Sequence, residues 1–200
     1  MNQGMTMRAQ LDLFRATQAL PEGFRYQAGV LSAREEAALV ERLKELPFKE
    51  FEFHGFLGKR RVVSYGWSYD YGARQVRRAE AIPYFLLPAR AAAARFAGLD
   101  AAHFQQALVT EYAPGAAIGW HKDKPQFGEV IGLSLLSPCH FRFRRKADRP
   151  SDTAWQRASL IVEPRSAYLL QGPARSEWEH SIPGVERLRY SITFRNFRDE

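Results

Sequence analysis

Leu188-Arg189-Tyr190-Ser191-Ile192-Thr193-Phe194-Arg195 alternates without a break. Successive side chains of a strand point to opposite faces. Leu188, Tyr190, Ile192 and Phe194 therefore share an apolar face, and Arg189, Ser191, Thr193 and Arg195 share a polar face with two cations. Six residues of strand put the two arginine Cα atoms roughly 20 Å apart. Each guanidinium reaches back on the order of 6 Å. The remaining gap fits a small dicarboxylate gripped at both ends, and the planar fork of arginine suits bidentate carboxylate binding. Pairing with protein carboxylates or with solvent is the alternative.

Working back from that strand, the chain from about residue 105 onward reads as all strand, with segments at 108–112, 118–123, 130–136, 141–145, 159–162, 167–171, 178–182 and 188–197. Short strands at this spacing predict a sandwich or jelly roll. Ala113-Pro114-Gly115-Ala116 has Pro and Gly at the central positions of a type II turn. The returning strand carries Trp120-His121-Lys122-Asp123. If it is extended through Asp123, the imidazole and the carboxylate fall on one face and can share a metal ion. His180, in Trp178-Glu179-His180-Ser181-Ile182, supplies a second imidazole. Two histidines and one carboxylate form the triad that holds ferrous iron and leaves positions open.

In chain order, Tyr112-Ala113-Pro114-Gly115-Ala116, His121-Lys122-Asp123, His180, and Arg189 with Arg195 resemble the iron(II)- and 2-oxoglutarate-dependent dioxygenases, and within them the AlkB family. The resemblance covers about residues 50 to 197 and implies a double-stranded β-helix. It implies that His121, Asp123 and His180 hold Fe(II), and that Arg189 takes the distal carboxylate of 2-oxoglutarate. Arg195 would lie near the keto-acid end, Tyr112 would add a hydrogen bond, and Ser191 shares their face. The implied reaction consumes O2 and 2-oxoglutarate and demethylates N-alkylated bases of DNA or RNA, releasing formaldehyde, succinate and CO2. The alternatives are the same chemistry on a protein or small molecule, or a non-catalytic nucleic-acid-binding barrel. Two positions depart from the family pattern. Thr110 stands where Asn is frequent, and Lys124-Pro125-Gln126 stands where nucleic-acid demethylases carry acidic residues.

Upstream, Tyr65, Trp67, Tyr69 and Tyr71 recur at alternate positions, so one strand face would carry four rings, with Lys59, Arg60 and Arg61 just before them. Rings stack bases and arginines hold phosphates. The pattern resembles the AlkB substrate lid and makes Arg61, Tyr65, Trp67 and Tyr69 the expected substrate contacts, with aromatic core packing as the alternative. Arg74, Arg77 and Arg78 add charge, and His54 reads as structural or surface. Ser32 with Glu35 forms a capping box opening a helix over 32–46, which Pro47 ends. A second, Ala- and Leu-rich helix is predicted over 84–98, and both would buttress the sheet.

The 200 residues suit a single domain over 21–200 behind a flexible arm of residues 1–20. Within the arm, Gln10-Leu11-Asp12-Leu13-Phe14 is similar to the short peptides by which bacterial DNA-processing proteins dock on the sliding clamp. The other reading is an arm packed on its own domain. A net charge of +7 favours an anionic partner, nucleic acid first. Cys139 is the sole cysteine, excluding an intrachain disulfide and fitting a reducing cytoplasm. Nothing reads as a membrane span or signal peptide. A cytoplasmic, monomeric, mainly β (α+β) enzyme is expected.

Overall fold

The computed structural model describes residues 19–53, 56–70, 75–147 and 155–198. The segment Gln10-Leu11-Asp12-Leu13-Phe14, most of the arm, His54, Tyr71 and Arg74 lie outside the described residues. The chain runs β1 (Phe24–Gln27), α1 (Ala33–Lys44), β2 (Lys49–Phe53), β3 (Phe56–Tyr65), β4 (Trp67–Asp70), β5 (Gln75–Arg78) and α2 (Leu87–Ala97). It continues β6 (Gln106–Tyr112), β7 (Ile118–His121), β8 (Phe127–Leu135), β9 (Cys139–Lys146), β10 (Trp155–Val162) and β11 (Ser166–Leu170). A five-residue helix α3 (Gly172–Ser176), β12 (Glu179–Ile182) and β13 (Arg189–Phe197) complete it.

The strands form a jelly roll of a seven-stranded sheet, ordered β1-β11-β8-β13-β6-β3-β2, and a four-stranded sheet, ordered β10-β9-β12-β7. The β13 alternation positions everything else. Tyr190, Ile192 and Phe194 pack with Leu39, Val40 and Leu43 of α1 and Ala93 and Phe96 of α2 in one core. The two helices therefore cover the outer face of the large sheet. The opposite face looks toward the small sheet, where Tyr112, Val130, Phe141, Phe143, Tyr168 and Trp178 form a second core. Arg189, Ser191, Thr193 and Arg195 lie on that inner face, opposite Tyr112, Thr110, Leu108 and Gln106 of β6.

Local chemistry sets the boundaries. The Ser32 hydroxyl accepts from the Glu35 N–H, and the Glu35 carboxylate accepts from the Ser32 N–H at 2.7 Å. Gly98, at φ 73°, ends α2 in the left-handed region that glycine adopts without strain. The Ala113–Ala116 turn is type II, with Gly115 at φ 81° and the Ala116 N–H donating to the Ala113 carbonyl at 2.8 Å. Leu136 and Arg165, at φ 70° and 62°, take the same left-handed region without being glycine. The buried Glu36 carboxylate braces both, accepting from the Leu136 N–H at 2.9 Å and from Arg165 Nη1 at 3.0 Å.

Three expectations are corrected. The alternating rings do not share a strand face, because Gly66 at φ 74° turns the chain between β3 and β4. A Cβ there would lie 1.9 Å from the Gln105 carbonyl oxygen, so the turn requires glycine. Tyr65 consequently ends in the helix-side core at 4% exposure, while β4 pairs with β5 in a separate two-stranded ribbon. The predicted strand over 118–123 stops at His121. The region after 105 is not all strand, since α3 interrupts it.

Gly132 of β8 sits opposite Tyr168 of β11, and its missing side chain makes room for that ring. A Cβ at Gly132 would lie 2.1 Å from Tyr168 Cζ. Gly132→Ala is expected to destabilise the fold by about 1–3 kcal/mol through overpacking. Adding Tyr168→Leu should recover most of that loss. Thermal unfolding of the single and double variants checks it, and additive losses would show that the two positions are not coupled.

Candidate metal and cosubstrate site

His121 and His180 face each other directly across the antiparallel pair β7 and β12. Directly opposed residues on neighbouring strands carry their side chains side by side, and the two imidazole centroids are 4.3 Å apart. His121 Nδ1 lies 2.9 Å from the Gly119 carbonyl oxygen. A proton on Nδ1 donates in that contact and leaves Nε2 as the free lone pair. The His180 ring stacks on Phe141 at 5.3 Å and 13°.

Asp123 reaches the histidines differently from the strand periodicity expected of it. It lies just beyond β7, in a loop that other residues fix. Arg175 of α3, itself buried, donates to the carbonyls of Gly128, Asp123 and Phe127 at 3.2, 3.2 and 2.9 Å, and to that of Lys124. Four carbonyls on one guanidinium lash the 123–128 loop to α3. Arg195 Nη2 then donates to Asp123 Oδ1 at 2.9 Å. Asp123 Oδ2 is left 3.7 Å from His180 Nε2. Among the described residues no three His, Cys, Asp or Glu side chains are closed around one point. The three form a set of converging donors, with His121 the one turned toward its own strand.

The protonation states of His180 and Asp123 suit a divalent metal, which needs neutral imidazole and ionised carboxylate. Burial, then the neighbouring His121, pushes His180 down to about 3, so it is neutral at pH 7. Burial works to raise Asp123, but Arg195 foremost, with His180 and His121, holds it well below the usual carboxylate range.

Arg189 is the least expected group by ordinary burial rules. Its side chain is fully buried, and the Ser134 hydroxyl accepts from Nη2 at 3.1 Å. Among the described residues Nε and Nη1 have no hydrogen-bond partner, and no carboxylate pairs with the guanidinium. Tyr112 lies under the guanidinium at 4.8 Å, with its hydroxyl 3.4 Å from Ser191 Oγ. Burial pushes the nearby Cys139 thiol and Tyr168 phenol upward, so both are neutral and neither is a counter-charge. A buried, unpaired charge costs several kcal/mol. Two orphaned donors on such a charge fit a carboxylate ligand.

Arg195 is not left open for a ligand in the way that Arg189 is. Arg195 is spent on Asp123 and, through Nη1, on Gln106 Oε1 at 3.1 Å, with only Nε left over. Of the expected lid contacts, Arg61 pairs with Glu111 at 2.7 Å on the neighbouring strand and packs over Phe48. Tyr65 is core. Trp67 meets Phe197 edge-on at 5.2 Å and carries Arg78 over its ring. Tyr69 lies under the Lys124 ammonium at 4.4 Å, next to the loop that carries Asp123. Arg175, Ser134 and Tyr168 were not expected from the sequence. An arginine after Gly172-Pro173 reads as surface until the fold closes the loop over it.

The family pattern of the 2OG-Fe(II) oxygenase superfamily matches residues 23–195. The chain belongs to that superfamily. Two curated relatives match this AlkB-like 2OG-Fe(II) oxygenase. It is 33% identical over 164 residues to the alkylated DNA repair protein ALKBH8 homolog of Arabidopsis thaliana, covering 71% of this chain and 47% of that one. It is 32% identical over 104 residues to uncharacterized protein L905 of Acanthamoeba polyphaga mimivirus, covering 46% and 47%. The chain thus spans about half the length of these relatives. Among solved structures, OsALKBH1 superposes with a TM-score of 0.65 at 16% identity, covering 90% of this chain and 99% of that one. A 2OG-Fe(II) oxygenase family oxidoreductase from Burkholderia pseudomallei gives 0.61 at 14% identity, covering 88% and 86%. At these identities the superpositions speak for the fold. As its superfamily's name states, the enzyme draws on Fe(II) and 2-oxoglutarate, with dioxygen as oxidant. No described helix is long and apolar enough to cross a membrane.

Two outcomes test the site. Arg175→Met, which keeps the stem and removes the donors, should loosen the Asp123 loop and weaken Mn(II) or Co(II) binding by about 10- to 100-fold. Calorimetric titration of metal-free protein reads this, and unchanged affinity would reduce Arg175 to packing. Arg189→Lys keeps the charge but not the planar fork. It should raise the 2-oxoglutarate KM by about tenfold or more with a smaller effect on kcat, and an unchanged KM would assign the carboxylate to another cation.

Proposed function

We propose that this oxygenase removes alkyl groups from nucleobases of DNA or RNA by oxidation. The observation that carries the reading is its 33% identity over 164 residues with an alkylated DNA repair protein homolog. The net charge of +7 and the aromatic and basic ribbon of Trp67, Tyr69, Arg77 and Arg78 beside the Asp123 loop agree with it. That ribbon takes the role of a lid, with Trp67 and Tyr69 as its stacking surfaces in place of Tyr65.

His121, Asp123 and His180 would hold Fe(II), and Arg189 with Ser134 and Tyr112 would hold the distal carboxylate of 2-oxoglutarate. When bound, the iron with 2-oxoglutarate and dioxygen supplies the oxidation of a substrate C–H bond, yielding succinate and CO2. The protein's own groups position and tune. Arg195 fixes one oxygen of Asp123 and so aims the other. The Gly119 carbonyl sets the His121 tautomer. Phe141 and Phe143 exclude water behind His180. An N-methyl group hydroxylated at its carbon collapses to formaldehyde and the free amine.

His121→Ala should abolish succinate formation, and full turnover in that variant would remove the metal assignment. Mass spectrometry of a panel of methylated single-stranded DNA and RNA oligonucleotides tests the substrate class. Loss of a methyl mass with stoichiometric formaldehyde is expected. Turnover of 2-oxoglutarate with no nucleic-acid product, but with oxidation of a protein or small molecule, would move the same chemistry to that substrate.

A further inference from the structure

The outer face of the small sheet carries a second set of side chains that the pocket does not use. In the pairing of β9 with β10, Arg144 faces Arg157, Arg142 faces Ser159 and Lys146 faces Trp155. These point away from Phe141, Phe143 and Ala158, which are buried between the sheets. On β7, Trp120 points outward because its neighbour His121 points in. Arg144 is held between two indoles, 4.5 Å from Trp120 and 4.5 Å from Trp155, and Arg142 lies 5.0 Å over Trp120.

Among the described residues the charges on this face are mostly uncompensated. Glu179 pairs with Arg144 at 2.5 Å. Arg142 donates from Nε to the Ser181 hydroxyl and, among the described residues, to no acid. Among the described residues Arg157 and Lys146 have no acid partner, and both are exposed. Trp155 is 37% exposed although one face of its ring is covered by Arg144. The rest of the indole is left in water, on the same face as the exposed Arg157 and Lys146.

We propose that this face binds single-stranded nucleic acid, apart from the pocket between the sheets. A four-stranded antiparallel sheet with outward aromatics is a platform on which unpaired bases stack. The open indole of Trp155 offers the stacking surface, and Arg142, Arg157 and Lys146 offer charge to the phosphates. An acidic peptide would use the guanidinium edges but has no use for exposed ring faces, so the interleaving favours bases. Trp120 and His121 are chain neighbours on β7, so a strand lying on this face passes the edge of the pocket. The inference rests on the nucleic-acid class proposed above, but not on the reaction.

The test uses the full chain and an unmodified, fluorescein-labelled oligothymidylate of about twelve nucleotides, which the smallest site sizes would fit. Fluorescence anisotropy is read over a range of salt. Trp155→Ala should weaken binding roughly fivefold or more, and Trp155→Phe should restore most of it. Arg157→Glu should weaken binding and lower the salt slope by at least about 0.7, one phosphate contact for a single strand. Arg157 is exposed and unpaired, so that variant stays folded even where Trp155→Ala does not. Turnover of a methylated mononucleotide, too short to reach the face, should be unchanged in Arg157→Glu. Wild-type affinity in both Trp155→Ala and Arg157→Glu would overturn the proposal. So would polyglutamate competing as well as the oligonucleotide, which would make the face a site for acidic protein. Weakened oligothymidylate binding together with failure to demethylate any base would leave this face standing and remove only the proposed reaction. Demethylation with unchanged oligonucleotide binding would do the reverse.

Discussion

Three guanidiniums, those of Arg175, Arg189 and Arg195, are drawn into the space between the sheets against one nearby carboxylate, Asp123. Burying cations is tolerated only where each finds acceptors, and each solves the problem differently. Arg175 takes backbone carbonyls, Arg195 takes Asp123 and Gln106, and Arg189 takes one hydroxyl and keeps two donors free. The first two solutions build the metal side of the site. The third leaves a charge that an anionic ligand can satisfy, so folding stability is held back for binding. Ligand that occupies Arg189 should therefore stabilise the fold as well as react in it.

The dependence on arginine explains why the facing of the two histidines was legible in the sequence while the path of Asp123 was not. His121 and His180 follow from sheet register, and register follows from alternation, which the sequence displays. Asp123 approaches His180 by a geometry that the strand period does not give. The strand ends at His121, and the carboxylate arrives by way of a loop tied to Arg175, some fifty residues downstream. No local pattern encodes such a tie. The arginine gives the same reading as any solvated arginine until tertiary contacts supply the carbonyls.

The fold was legible for a related reason. Eight strands after residue 105, the capping box at Ser32 and the type II turn at Pro114-Gly115 each rest on a period or a cap that acts over a few residues. The aromatic run failed where one glycine outweighed a pattern. Gly66 takes a left-handed φ, the strand ends, and Tyr65 turns into the core while Trp67 and Tyr69 join the ribbon. Periodicity counts positions but does not see a change of handedness between them. Gly132 and Tyr168 show the converse. A ring packs across a strand only because its partner lacks a Cβ, a pairing invisible until the register is known.

Strand β7 joins the two functional faces. Its four residues put His121 toward the pocket and Trp120 toward the Arg142 and Arg144 stack, and among the described residues it is an edge strand whose single partner is β12. An edge strand bonded on one side is held less firmly than a central one. The guanidinium and indole stack on its outer surface therefore does for Trp120 what Phe141 does for His180, fixing a side chain whose neighbour must aim at the metal. Occupation of the outer face by a nucleic-acid strand would stiffen the same segment, so binding there and the geometry of His121 are physically coupled through one residue step of backbone.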